Sequence, residues 1–182
     1  MSSDRPPSRL AFMIITLIHD NPLRHRFENP IKTLKAAGLQ PGLKVLEVGC
    51  GPGFFTIPAA EIVGDEGLVY AVDVHPLAIE KVQKKIESKR LTNVCPMRTN
   101  ASDTGLPDQS IDLVFIFGLP RIVGGQESMI PEIHRILKPG GMLSYKKTRG
   151  SEKELIRKLE SAGFIYSGKQ KRIFFFKKEV TL

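Results

Sequence analysis

The chain contains little cysteine: Cys50 and Cys95 are the two cysteines among 182 residues, and its four histidines are scattered. Two cysteines do not build a disulfide framework, and neither stands at a spacing typical of metal ligands. The histidines add no cluster of the kind that holds zinc. We therefore expect neither a disulfide scaffold nor a bound metal.

Long apolar runs are also missing from the sequence. The longest near the N-terminus, Leu10 to Ile18, is about half as long as a bilayer-spanning helix. It lacks the small-residue cleavage site of a signal peptide. These features predict a soluble, cytoplasmic protein without a membrane span.

The remaining composition is that of a globular protein, with 41% hydrophobic and 25% charged residues and no repeats. We expect a main domain over residues 29–182, preceded by an N-terminal arm over residues 1–28 that could cover a substrate. The apolar stretch in this arm is equally compatible with a dimer interface or with ordinary core. A homo-oligomer therefore stays open.

Acidic residues are outnumbered, with 19 against 27 basic ones and a formal net charge of +8. A basic face can attract nucleic acid or an anionic surface. Glutamates interrupt several of the basic clusters, which favours a solvated surface over a nucleic-acid stripe. The basic clusters lie at residues 81–85, 146–149, 169–172 and 177–178.

The most informative segment is an apolar run, Val45 to Val48, that breaks into glycines at alternating positions, Gly49, Gly51 and Gly53. Twenty residues after the last of these glycines, a second apolar run ends on Asp73. This pattern predicts a strand that feeds a tight loop, where a ligand meets bare main chain. The carboxylate at the end of the neighbouring strand would bind the ligand's ribose.

Strand and helix patterns alternate along the rest of the chain. The expected class is α/β: a Rossmann-like, doubly wound, mostly parallel seven-stranded sheet with an antiparallel last strand and helices on both faces. Ligands bind such sheets at the carboxyl ends of the strands. Strands are expected over residues 44–48, 68–72, 94–98, 111–117, 142–146, 164–167 and 173–178. Helices are expected over residues 30–37, 54–63, from 76 onward, 127–137 and 151–162.

The glycine spacing excludes two common nucleotide ligands. In a dinucleotide fingerprint the third glycine would come one residue later than Gly53, where bulky Phe54 stands instead, and no Gly-Lys-Ser/Thr phosphate loop is present. A carboxylate at Glu47 would repel phosphates but attract an amino group or a sulfonium. The pattern therefore favours a ligand with a ribose and a cationic amino-acid end.

Residues Glu47 to Gly53 resemble the glycine-rich first motif of class I S-adenosylmethionine-dependent methyltransferases, and Asp73 falls where that family places its ribose-binding acid. Residues 99–112 and 133–141 resemble two sequence blocks of the ubiquinone/menaquinone-biosynthesis-type branch. Residues 161–164 are similar to the segment that leads into the last two strands in that branch. The resemblance covers residues 30–178 and rests on four ordered motifs.

The resemblance implies S-adenosylmethionine as the cofactor and assigns its contacts. The methionine end of the cofactor would bind the main chain of the glycine loop, beside Glu47 and Phe117. The ribose would bind Asp73. The adenine would lie between Val74, Asn100 and Ala101. Asn100 stands where the family usually has aspartate, and its amide oxygen can still accept a hydrogen bond. The implied cofactor-binding residues are Glu47, Gly49, Cys50, Gly51, Gly53, Asp73, Val74, Asn100, Ala101 and Phe117.

The function implied is methyl transfer from S-adenosylmethionine to an unidentified acceptor, which we expect to be a small molecule. Two alternatives stay open: a nucleic-acid methyltransferase that uses the basic face, and a non-catalytic S-adenosylmethionine-binding scaffold. The strand that ends at Phe117 is not followed by the Asn/Asp-Pro-Pro-Tyr/Phe sequence of many adenine and glutamine methyltransferases. No catalytic base can be named, and we expect Cys50 to serve packing.

Overall fold

A computed structural model describes residues 29–117, 125–147 and 150–180. These residues form five helices and seven strands. The helices are α1 (Pro30–Ala36), α2 (Thr56–Val63), α3 (Pro76–Lys89), α4 (Gly125–Ile136) and α5 (Glu152–Glu160). The strands are β1 (Lys44–Val48), β2 (Leu68–Asp73), β3 (Val94–Arg98), β4 (Ile111–Phe117), β5 (Leu137–Lys146), β6 (Phe164–Gln170) and β7 (Ile173–Lys178).

The strands form one sheet in the order β3-β2-β1-β4-β5-β7-β6. Strands β1 to β5 pair in parallel, whereas β7 runs antiparallel to both β5 and β6. The strand order reverses between β1 and β4, which is the point where open α/β sheets bind their ligands. The predicted fold class is thus confirmed, including the closing hairpin.

Strand β4 shows why both faces of this sheet are covered. Leu113, Phe115 and Phe117 point to the face that holds α1 and α2, while Val114 and Ile116 point to the face that holds α4 and α5. All five side chains are buried. A continuous apolar run is what a strand buried on both faces requires, since successive side chains alternate between the faces.

Several boundaries differ from the sequence prediction, among them the end of β6, which runs to Gln170 and not to Ser167. Strand β5 begins at Leu137 rather than Met142, because its pairing with β4 shifts register and residues 138–141 form a bulge between the two paired stretches. Helix α2 begins at Thr56 rather than Phe54, because Phe54 and Phe55 still belong to the turn that starts at Gly51.

The described residues contain no helix that is both long and apolar enough to cross a membrane. The N-terminal arm, residues 1–28, and the segment after Phe117 lie outside the described residues. The expectations for both segments therefore stay predictions.

Candidate cofactor site

The loop after β1 is shaped by three glycines in the left-handed region, Gly49 (φ 74°), Gly51 (φ 53°) and Gly53 (φ 86°). The amides of Gly49 and Cys50 donate to the Val72 carbonyl at 2.8 and 3.0 Å, which ties the loop to the end of β2. A Cβ atom on Gly51 would meet nothing within 4 Å. The loop therefore leaves an open cradle of bare main chain at this position.

Gly53 has a different role in the same loop. A Cβ atom there would lie 3.2 Å from Val82 Cγ2 on α3. The absence of a side chain thus allows the loop and α3 to approach closely.

Asp73, at the carboxyl end of β2, is held against this loop. Its Oδ2 accepts a hydrogen bond from the Gly51 amide at 2.9 Å, and its Oδ1 accepts one from the His75 amide at 2.8 Å. Burial raises the pKa of this carboxyl, and the amides of His75 and Gly51 oppose the shift. Each oxygen retains a lone pair, so the carboxylate can accept two further hydroxyl groups.

His75 is a functional neighbour that the sequence analysis missed. It is buried, and its Nδ1 accepts from the Leu77 amide at 3.2 Å, so its side chain caps the N-terminus of α3. Its own amide meanwhile fixes Asp73. The signal in the sequence is a polar residue directly before Pro76, which is a favoured first residue of a helix.

Glu47 lies beneath the glycine loop and is only 3% exposed. The Thr56 hydroxyl at the start of α2 donates to its Oε2 at 2.5 Å. Burial raises the pKa of Glu47 to about 8, the Thr56 hydrogen bond lowers it, and nearby Asp73 raises it. This carboxyl is therefore mostly protonated at pH 7, whereas the sequence analysis treated it as charged, and a cation beside it would favour ionisation.

The side chain of Cys50 is almost fully buried. Its side chain is buried against Ala71, Val82 and Ile86, and burial raises the pKa of its thiol. A buried thiol of raised pKa is a poor nucleophile. The expected packing role is confirmed.

The remaining predicted residues follow the ends of β2, β3 and β4. Val74 is half-buried beside Asp73, and Ala101 is buried in the main core. Asn100 folds back in a turn, where its Oδ1 accepts from the Ser102 amide at 3.2 Å. Phe117 is 7% exposed, with its ring edge-on to Phe55 at 5.2 Å between centroids. All lie at the carboxyl edge that carries the glycine loop.

The segment after β3, residues 99–110, is held by side chains of α4. The Thr104 amide and hydroxyl donate to Glu132 Oε1 at 2.9 and 2.6 Å. Arg135 donates through Nε to Glu132 Oε2 at 2.8 Å and through Nη2 to the Leu106 carbonyl at 2.7 Å, and it also pairs with Asp108. The Arg135 guanidinium and Thr104 hold the pKa of Glu132 at about 2.

Sequence analysis did not identify this tether, although Thr104 and Arg135 lie in segments that resemble family motifs and Glu132 directly precedes the second segment. Residues 99–112 and 133–141 are far apart in the chain, and Arg135 joins them. The tether fixes the segment that carries Asn100 and Ala101.

These residues fit S-adenosylmethionine. An open main-chain cradle at Gly51 suits the amino-acid end, and the free lone pairs of Asp73 suit two ribose hydroxyls. The buried Glu47 carboxyl can ionise opposite a cation. Among the described residues, no three potential metal ligands come together.

Comparison with known proteins agrees with this geometry. The sequence model of a methyltransferase domain family matches residues 39–177, and the chain belongs to that family. A solved structure of a SAM-dependent methyltransferase from Aquifex aeolicus superposes with a TM-score of 0.75 at 26% identity and covers 94% of this chain and 98% of its own. The chain therefore belongs to the class I SAM-dependent methyltransferases, a family named for its use of S-adenosylmethionine.

Two curated relatives place the chain near one branch of the class. A demethylmenaquinone methyltransferase from Geobacillus sp. (strain WCH70) is 37% identical over 110 residues, which are 60% of this chain and 47% of the relative. The ubiquinone/menaquinone biosynthesis C-methyltransferase UbiE from Shewanella sediminis (strain HAW-EB3) is 33% identical over 129 residues, 70% of this chain and 51% of the relative. The chain thus spans about half the length of these relatives.

Proposed function

We propose that this protein transfers a methyl group from S-adenosylmethionine to a small, largely apolar acceptor with a quinol-type ring. The observation that carries the cofactor half of this proposal is the contact between Asp73 and the Gly51 amide. It places a carboxylate with free lone pairs directly beside an open main-chain cradle.

In this proposal the glycine loop holds the methionine end of the cofactor, and Asp73 holds the ribose. The adenine is held by Val74, Asn100 and Ala101. The cofactor, when bound, supplies an activated methyl group on a cationic sulfur. The chain's own contribution is to hold the reactants in line and exclude water, which can supply much of the acceleration of a direct displacement.

The acceptor half of the proposal is suggested by the curated relatives and is compatible with an aromatic cluster next to the glycine loop. The ring centroids of Phe54 and Phe55 lie 4.8 Å apart, and those of Phe55 and Phe117 lie 5.2 Å apart, both edge-to-face. These rings are only 4–7% exposed, so they form a buried apolar backing behind the site and not a surface that an acceptor covers. The two curated relatives carry names that refer to quinone methylation.

Calorimetry with S-adenosylhomocysteine tests the cofactor site. We expect micromolar affinity for the wild type and a loss of at least about tenfold in Asp73→Ala, because two charge-assisted hydrogen bonds disappear. Asp65→Ala is the matched control, since it removes an exposed carboxylate from the turn before β2. Equal affinity in the two variants would contradict the assignment.

Methyl transfer itself is tested with labelled S-adenosylmethionine and a panel of reduced benzoquinones and naphthoquinones. We expect label in the quinol fraction and none in an RNA oligonucleotide offered in parallel. Label in the RNA alone would overturn the acceptor class while leaving the cofactor site intact.

Residues 1–28 are proposed as the cover over the acceptor. Their deletion should leave S-adenosylhomocysteine affinity unchanged and abolish turnover. Unchanged turnover in the truncated protein would refute that role.

A further inference from the structure

The turn that carries Asn100, residues 99–103, is held together by its own hydrogen bonds. The Asp103 amide donates to the Asn100 carbonyl at 3.0 Å, and the Thr99 hydroxyl donates to the Asp103 carbonyl at 2.7 Å. The Ser102 amide donates to Asn100 Oδ1 at 3.2 Å. A flip of the Asn100 amide would place its NH2 group against that N–H donor, so the oxygen keeps its position. The turn therefore moves as a unit and carries an acceptor of fixed orientation.

Thr104, the residue that directly follows this turn, attaches it to helix α4. Its amide and hydroxyl donate to Glu132 Oε1 at 2.9 and 2.6 Å, and its hydroxyl also accepts from the Leu106 amide at 3.2 Å. Thr104 is only 3% exposed. Hydrogen bonds to a carboxylate are stronger than those between neutral groups. The position of the turn therefore depends on the position of the Glu132 carboxylate.

Arg135 fixes that carboxylate from the other side. Its Nε donates to Glu132 Oε2 and its Nη2 donates to Glu132 Oε1, both at 2.8 Å. A two-point contact of this kind sets the direction of a carboxylate as well as its distance. Nη2 also donates to the Leu106 carbonyl at 2.7 Å, so the same guanidinium holds the segment directly.

The far end of the segment is held in a different way. The Gln109 amide donates to the Arg135 carbonyl at 3.0 Å, and the Ser110 amide donates to the Ile136 carbonyl at 2.8 Å. These main-chain contacts do not depend on the side chains at positions 132 and 135. A substitution there therefore releases residues 104–106 and leaves residues 109 and 110 attached.

We propose that Thr104, Glu132 and Arg135 are positioning residues that set the preference of the cofactor site for a 6-aminopurine. They act through Asn100, because they hold the turn so that Oδ1 accepts from the 6-amino group of adenine. This inference rests on the proposed function, which assigns the adenine to Val74, Asn100 and Ala101.

The chemistry of the base explains why position decides the preference. A 6-oxopurine carries an oxygen where adenine carries its amino group, so two acceptors would face each other at Asn100. The Ser102 amide prevents the side chain from turning its NH2 group toward that oxygen. Hydrogen bonds weaken steeply when their geometry is poor, so a displaced turn would lose its grip on adenine and its discrimination together.

The test is calorimetry of the full-length protein with S-adenosylhomocysteine and with S-inosylhomocysteine, its 6-oxo analogue. The wild type should prefer the adenosyl compound by about tenfold or more. Thr104→Val removes the hydroxyl and keeps the shape of the side chain, and it should reduce the preference to about threefold or less. Thr104→Ser keeps the hydroxyl and should stay within about twofold of the wild type.

Ser144→Ala is the matched control for a merely structural effect. Ser144 is buried, and its hydroxyl donates to the Ala37 carbonyl at 2.6 Å, in a part of the fold that does not hold the turn. Its loss should lower stability to urea as Thr104→Val does and leave the preference for the adenosyl compound unchanged. Equal preferences in Ser144→Ala and Thr104→Val would overturn the inference.

Arg135→Lys tests the other end of the chain of contacts. Lysine keeps the positive charge but cannot make the two-point contact with Glu132, so the preference should again fall to about threefold or less. Arg157→Lys, an exposed change on α5, should leave it at the wild-type value. A wild-type preference in Arg135→Lys would overturn the inference.

Failure of the proposed function is distinguishable from failure of this inference. If S-adenosylhomocysteine does not bind the wild type, the cofactor assignment itself fails. If it binds the wild type and Thr104→Val discriminates between the two compounds as the wild type does, only the inference fails.

Discussion

Two buried glutamates lie on the two sides of the candidate cofactor site, and their pKa values shift in opposite directions. Glu47, under the glycine loop, has its pKa raised to about 8 by burial, and Glu132, behind residues 99–110, has its pKa lowered to about 2 by Arg135. The second carries a permanent charge that holds a segment in place. Glu47, in contrast, would become ionised when a cation binds beside it. This is the behaviour of a binding group rather than a structural one.

The largest expected effect on stability comes from removing the side chain of Glu132. Glu132→Ala leaves Thr104 and Arg135 without their common acceptor and should lower the free energy of unfolding by about 3 kcal/mol. Glu127→Ala, which removes an exposed partner of Lys158, should change it by less than about 0.5 kcal/mol. Urea unfolding at pH 7 measures both, and similar losses would contradict the distinction.

The same pair of proteins gives a pH test. Because the pKa of Glu132 is about 2 in the folded protein, its stabilisation is complete above the ordinary value of 4.5 and is lost as pH falls toward 2. The difference in stability between wild type and Glu132→Ala should therefore shrink between pH 6 and pH 3. A constant difference would show that the carboxylate charge does not act there.

A matched pair of glycines compares the two segments directly. Gly51 and Gly105 both have positive φ, at 53° and 70°, and a Cβ on either would meet nothing within 4 Å. Replacing either glycine by alanine should therefore lower the free energy of unfolding by about 1 kcal/mol. Only Gly51→Ala should weaken the binding of S-adenosylhomocysteine, by about 10- to 100-fold, because the added methyl group occupies the cradle. Equal affinities in calorimetry would refute the cradle.

Glu47→Gln tests the binding side. With a folded pKa of about 8, Glu47 stabilises the protein below pH 4.5 and loses that contribution as pH rises toward 8. The wild type should thus lose about 2 kcal/mol between pH 6 and pH 8 relative to Glu47→Gln, which does not titrate. Glu66→Gln, an exposed change, is the control and should follow the wild type. If the free energy of unfolding changes with pH in the same way in all three proteins, the raised pKa of Glu47 is disproved.

The smallest effect is expected at Asn100. Asn100→Asp restores the family's acid, and a charged acceptor should strengthen the bond to the adenine amino group and raise S-adenosylhomocysteine affinity about threefold. Gln109→Glu adds the same charge to the same segment away from the adenine and should leave affinity unchanged. An equal gain in both would indicate a general charge effect.

The glycine loop was predictable because its determinants are contiguous. Gly49, Gly51 and Gly53 set the backbone locally, and Asp73 reaches the loop as the last residue of the adjacent strand. The strand bounds of β1, β3, β4 and β7 were predictable for the same reason, since each is a short apolar run between polar or glycine residues. The start of β5 was not, because a bulge depends on the register of its partner strand.

The sequence by itself determined the fold class, the glycine loop and the position of Asp73 beside it, since local backbone preference and strand periodicity fix them within a few residues. Only the tertiary structure decided the burial of Glu47, which raises its pKa, and the tether of Glu132 and Arg135 to residues 104–108. Burial and charge proximity depend on groups distant in the chain, and no local pattern records them.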